Sequence, residues 1–157
     1  MPAIAHAMHV SIAETGLLVT LFALSYAVAS PGFGQLSDHW GRRPVALASL
    51  ACFILADAGT ALSTTFSQLL LSRIAAGLGA AGFTPTLYAY IADRVSPSQR
   101  GRVMGITSAG LATSTFLGVP AGLALATAWG WRSPFWAVSA AGVLSFAIVW
   151  RKWLPPR

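Results

Sequence analysis

The sequence predicts an all-α integral membrane protein with about five transmembrane helices. Three observations carry that reading. The 157 residues are 55% hydrophobic and only 9% charged, with a mean hydropathy of +0.66, against roughly 45–50% apolar and about 25% charged in an ordinary soluble domain. Charged and turn-forming residues cut the chain into apolar segments of about 18 to 27 residues, each long enough to cross a bilayer as a helix, and none alternates with the period of two expected of a membrane strand. All six tryptophans, Trp40, Trp129, Trp131, Trp136, Trp150 and Trp153, fall near segment ends, where an amphipathic ring prefers the headgroup region.

Residues 1–13 read as an external segment. Its His6 and His9 stand beside Met8 without visible partner ligands, so they are expected to be solvated, and no metal site and no cofactor is expected. The spans follow at about Glu14–Leu36, Pro44–Leu62, Gln68–Ala92, Val103–Ala128 and Pro134–Trp150, joined by short connections at Ser37–Arg43, Ser63–Ser67, Asp93–Arg102 and Trp129–Ser133. Residues 14–154 form one unit, and residues 155–157 lie beyond it. Pro31, Pro85 and Pro120 fall inside spans, where each removes a backbone donor and kinks the helix. Gly110, Ser114, Gly118, Gly122 and Ala126 recur every fourth residue along the fourth span, the spacing that allows close helix packing.

The basic residues alternate in their placement. Arg42 and Arg43 lie in the first connection, Arg94, Arg100 and Arg102 in the third, and Arg151, Lys152 and Arg157 in the tail, whereas the second connection has none and the fourth only Arg132. The positive-inside rule therefore expects the first and third connections and the C-terminus in the cytoplasm and the N-terminus outside. The formal charge of +6 follows from this topology. It forms no basic face and no aromatic platform, so no nucleic-acid partner is expected. The single cysteine, Cys52, offers no disulfide framework.

The first connection reads Gly34-x-Leu36-x-Asp38-x-x-Gly41-Arg42-Arg43. A positive-inside anchor needs the arginines but not the spacing of the glycines and the aspartate. The pattern resembles the signature loop between the second and third helices of the major facilitator superfamily of secondary transporters. Leu69-Leu70-Leu71-Ser72-Arg73-Ile74-Ala75-Ala76-Gly77-Leu78-Gly79-Ala80-Ala81 is similar to that family's fourth helix, and Gly118-Val119-Pro120-Ala121-Gly122 to its Gly/Pro-rich fifth. Gly130-Trp131-Arg132 with Phe135 resembles the entry to the sixth helix, and Leu154-Pro155 its exit. The five spans would then correspond to helices two to six of a partial N-terminal six-helix repeat, with 155–157 starting the central cytoplasmic loop. The first helix and the second half would lie outside this chain. Two departures are visible. Val119 separates Gly118 from Pro120 with no later glycine pair, which leaves sugar or general efflux as open as drug:proton antiport, and His39 stands where the family loop commonly has arginine.

The resemblance implies part of a secondary active transporter, an efflux permease of the bacterial inner (plasma) membrane, moving a small-molecule solute by alternating access with protons as coupling ion. Its partners would be membrane lipid and either the missing C-terminal half or further copies of the chain. It also implies a conformational latch built from Gly34, Asp38, Gly41, Arg42, Arg43 and Asp93, in which Arg42 pairs with Asp93 while Asp38 faces a helix N-terminus of the second half. Gly77, Gly79, Gly110, Ser114, Gly118, Pro120 and Gly122 are the expected helix-packing positions. A non-transporting membrane scaffold or partner-binding remnant is the alternative.

Asp57 and Arg73 are the charged residues well inside spans, each costing about 2.5–3.5 kcal/mol near a helix centre on insertion scales unless paired or hydrated. Counted from the outer helix ends they lie at matching depths of about 7–9 Å. They are the candidates for the proton and substrate pathway and are expected to form an ion pair, the alternative being that Arg73 faces the transport cavity while Asp57 finds water or backbone donors. No nucleophile and base pairing, metal set or phosphate loop is present, and Gly77-Leu78-Gly79 lies within a span, so the chain is not expected to be an enzyme.

Overall fold

In the computed structural model, which describes residues 2–152, the chain forms six helices. A short α1 (Pro2–Met8) precedes α2 (Ile12–Trp40), α3 (Arg42–Leu62), α4 (Phe66–Arg94), α5 (Pro97–Trp129) and α6 (Ser133–Lys152). The last five are long and apolar enough to span a membrane. Trp153, Arg157 and the Leu154-Pro155 exit motif lie outside the described residues.

The helices run past their apolar windows because polar residues hold the ends. Ser11 caps α2 reciprocally: the Glu14 amide donates to Ser11 Oγ at 3.1 Å, and the Ser11 amide donates to Glu14 Oε2 at 2.7 Å. Thr65 and Gln68 make the same box at the start of α4. The expected connection Ser37–Arg43 shrinks to Gly41, whose φ of +90° suits a residue without Cβ. Ser37 and Asp38 belong to α2, while Arg42 and Arg43 open α3. The expected Asp93–Arg102 connection likewise shrinks to Val95 and Ser96, since Pro97 starts α5 at a position where a missing N–H costs nothing.

The N-terminal segment carries a helix that its sequence reading did not anticipate. It contains α1, whose Ile4 and Ala5 are buried, and Ile4 joins Leu18 of α2 and Leu69 of α4 in an apolar cluster beside Phe66, Trp131 and Phe135. His6 and His9 remain exposed.

Packing centres on α4, which lies against both α2 and α3, while α6 covers another side of α3. Glycine sets these approaches. A Cβ on Gly77 would stand 2.5 Å from the Phe22 carbonyl oxygen of α2, and one on Gly79 would stand 2.6 Å from the Phe53 amide nitrogen of α3. Gly82 against Ser49, and Gly142 of α6 against Ile54, are equally tight and were not singled out by the sequence pattern. Ser139 reinforces the second contact by donating to the Ile54 carbonyl at 2.8 Å.

The stripe on α5 departs from expectation. No residue of α5 is buried; a Cβ at Gly110 or Gly118 would meet nothing within 4 Å, and one at Gly122 would meet only Pro134 at 3.9 Å. Small residues permit a close approach without supplying the helix that makes it, and α5 packs only lightly, chiefly on α4 and α6.

Candidate functional site

Two polar clusters interrupt the apolar bundle, one toward each end of α3. The one toward the C-terminal end of α3 begins with Asp57 and Thr60, which lie three positions apart and so share a face of that helix. That face meets Ser72 and Arg73 of α4. Arg73 Nη2 donates to Asp57 Oδ1 and, at 2.5 Å, to Thr60 Oγ1. Thr60 in turn reaches Ser72 Oγ at 2.8 Å and the Ala56 carbonyl at 3.0 Å, and Ser72 donates to the Leu69 carbonyl at 2.8 Å.

Burial defines the character of this pair. The Asp57 side chain is 2% exposed and that of Arg73 14%. The guanidinium lies 5.0 Å from the centroid of the Phe135 ring of α6, a cation–π distance. Nε of Arg73 is buried without a hydrogen-bond partner among the described residues. Both charges face a cavity of about 340 Å³ whose other walls include Ile4, Leu18, Phe22, Leu69 and Phe135. Two ions removed from water in apolar surroundings hold their charges through each other and through neighbouring hydroxyls. A change in the proton count or position of either is therefore felt by α3 and α4 together.

The cluster at the N-terminal end of α3 is organised by Arg42. Its Nη1 reaches Asp38 Oδ1 at 2.5 Å and Ser37 Oγ at 2.6 Å, both on α2, while its Nε donates to Asp93 Oδ2 of α4 at 3.1 Å. Asp38 and Asp93 are 56% and 54% exposed, so this clamp is open to its surroundings, unlike the Asp57–Arg73 pair. Arg43 extends it to α6 by donating to the Trp150 carbonyl at 2.9 Å, with its guanidinium 5.6 Å from the Trp150 ring centroid. The first turn of α3 is thus tied to α2, α4 and α6.

The structure brings together Asp38, Arg42 and Asp93, and Asp57 with Arg73. Gly41 supplies the reversal between α2 and α3, whereas Gly34 makes no close approach, its carbonyl accepting from Ser37 Oγ at 2.8 Å. Asp38 is engaged by Arg42 within the chain. Sequence reasoning passed over Thr60, Ser72 and Ser37. Helical spacing from Asp57 was the available signal for Thr60, and adjacency to Arg73 and Asp38 for the two serines.

The whole chain, residues 1–157, matches the family model described as Major Facilitator Superfamily. It is 38% identical over 149 residues to the uncharacterized MFS-type transporter YceJ of Bacillus subtilis, covering 95% of this chain and 38% of that protein. It is 34% identical over 145 residues to multidrug resistance protein 2 of Bacillus subtilis, covering 92% of this chain and 36% of that protein. Identity to the chloramphenicol resistance protein of Streptomyces lividans is also 34%, over 88% of this chain and 36% of that protein. Among solved structures, a bacterial homolog to the human lysosomal transporter Spinster, inward-facing and occupied, superposes with a TM-score of 0.78 at 27% identity, over 98% of this chain and 39% of that one. The chain therefore spans well under half the length of the relatives it matches. With five helices long and apolar enough to span a membrane, a fold that superposes on that structure and a family match along its full length, this multi-pass membrane protein belongs to the Major Facilitator Superfamily, a family of transporters and not of enzymes.

Proposed function

We infer that this chain is part of a secondary active transporter, an efflux permease that moves a small solute by alternating access with proton coupling. The buried Asp57–Arg73 pair carries the reading. An ion pair inside a span is costly and marks a functional site by default. This one links two spanning helices beside a cavity, where a proton or a charged solute group alters the balance holding α3 to α4. The relatives named for multidrug and chloramphenicol resistance support export of small molecules. Asp38, Arg42 and Asp93 form the opposite gate. Their half-exposed contacts, worth under about 1 kcal/mol each, break readily enough for the inner side to open. The arginine distribution favours a cytoplasmic position for this gate, in a bacterial inner membrane, with the N-terminus outside.

Everted membrane vesicles containing the chain together with the C-terminal half of a matched multidrug resistance protein provide the test. Energised vesicles should take up drug or dye, uptake should collapse with a protonophore, and Arg73→Gln should abolish it. Full assembly of both halves without gradient-dependent uptake would remove the transport reading and favour the scaffold.

A further inference from the structure

We propose that the α3–α6 face binds one anionic phospholipid, its phosphate held by Arg43 and Arg151 and an acyl chain lying in the groove between the two helices. Two adjoining hollows share Phe146: one of about 220 Å³ lined by Ala51, Ile54, Leu55 and Val143, the other of about 480 Å³ bordered by Ala147, Trp150 and Arg151. Together they make an apolar track bordered at one end by Arg151, with Arg43 held against the neighbouring Trp150. Its floor at that end is a stack, with the Phe146 and Trp150 rings 6.0 Å apart and 18° from parallel, and the Arg43 guanidinium over Trp150.

Charge names the occupant. The chain has four acidic residues: Asp38 and Asp93 engage Arg42, Asp57 engages Arg73, and Glu14 caps the far end of α2. None is left to neutralise Arg43 or Arg151. Arg43 spends one nitrogen on the Trp150 carbonyl, and its remaining N–H groups suit a phosphodiester. Arg151 is exposed beside the same ring. Length agrees with charge. From Arg43 to the Ala51–Leu55 stretch is about 12–18 Å along α3, close to one leaflet of a hydrocarbon core roughly 30 Å thick. The leaflet is the cytoplasmic one by the orientation inferred above, but lipid retention is read without reference to sidedness, so its failure is distinct from failure of transport.

The test is native mass spectrometry of the purified full chain released from detergent, equilibrated with dioleoyl phosphatidylglycerol or dioleoyl phosphatidylcholine. Phosphatidylglycerol should remain bound at one equivalent, with at least tenfold preference over phosphatidylcholine. Arg151→Gln, which removes no internal contact among the described residues, should weaken retention about fivefold, and Arg43→Gln by at least as much. Ala147→Trp should block the track with both arginines in place. Arg102→Gln removes an exposed charge from α5 and should change nothing. Equal retention of the two lipids, an Arg102→Gln loss matching that of Arg151→Gln, unaltered retention by Ala147→Trp, or occupation of the face by a second chain in place of lipid would each overturn the proposal.

Discussion

Arg42 and Asp93 join the first turn of α3 to the last turn of α4 through an Nε–Oδ2 contact of 3.1 Å across 51 positions of sequence. The same guanidinium holds Asp38 in the last turn of α2, so one side chain joins the neighbouring ends of three helices. Asp93→Asn should leave the Arg42–Asp38 contact intact and cost little, about 0.2–1 kcal/mol, because the carboxylate is more than half exposed. Arg42→Gln severs both links and should raise thiol labelling of a cysteine placed at Ser96 more than Asp93→Asn does. Equal labelling in the two variants would show that Asp38 contributes nothing to the clamp.

The Asp57–Arg73 pair should respond much more strongly. Asp57→Asn leaves an arginine buried without a counter-charge, and Arg73→Gln leaves a carboxylate that is 2% exposed. Each should destabilise by about 3–5 kcal/mol, read as a large fall in the thermal aggregation midpoint in detergent. The exchange Asp57→Arg with Arg73→Asp should recover part of that loss. If the double variant is no better than the singles, the two charges do not depend on each other. Thr60→Val should cost less, about 1–3 kcal/mol, since it removes one acceptor and keeps the charges paired.

Glycine positions offer a test of packing. Gly79→Ala places a methyl 2.6 Å from the Phe53 amide nitrogen and 2.8 Å from the Ser49 carbonyl oxygen, both backbone atoms that cannot rotate away. Overpacking of this kind costs about 1–3 kcal/mol. Gly118→Ala, with nothing within 4 Å, should leave the isolated chain as stable as before or slightly more so, given alanine's better helix propensity. Thermal midpoints of the two variants, compared side by side, check the assignment. A loss at Gly118 equal to that at Gly79 would show that α5 packs where the structure leaves it bare.

These contrasts also mark what was legible in the sequence. The five spans are visible because their apolar windows must match a bilayer, and Asp57 and Arg73 because charge inside such a window needs a partner. The C-terminal end of α2 was not visible. Ser37 and Asp38 look like loop residues until Arg42 returns across Gly41 to hold them in the last turn. Arg43 on Trp150 joins residues 107 positions apart, and nothing local in either segment encodes that contact. The α5 stripe misled for a related reason. Spacing of four records which residues share a face, whereas Gly77, Gly79 and Gly82 on α4 acquire their meaning only from α2 and α3.

The last prediction is that the 157-residue chain, purified alone and reconstituted in sealed vesicles, will not catalyse coupled transport. On the alternating-access reading proposed above, the solute site lies at the midplane between two repeats that rock against each other. This chain corresponds to 36–39% of its relatives' length, and on that reading it supplies one wall of such a site. Its α5 buries none of its residues, and the Arg42 clamp joins helices of this chain. With no second body to move against, breaking Arg42 from Asp93 opens no path from one side to the other. An imposed pH gradient should therefore drive no solute flux above that of empty vesicles, while co-reconstitution with a matched six-helix C-terminal half should restore it. Robust gradient-dependent flux by the chain alone would sink the prediction, and would require two copies to pair through the bare α5 face and supply both walls.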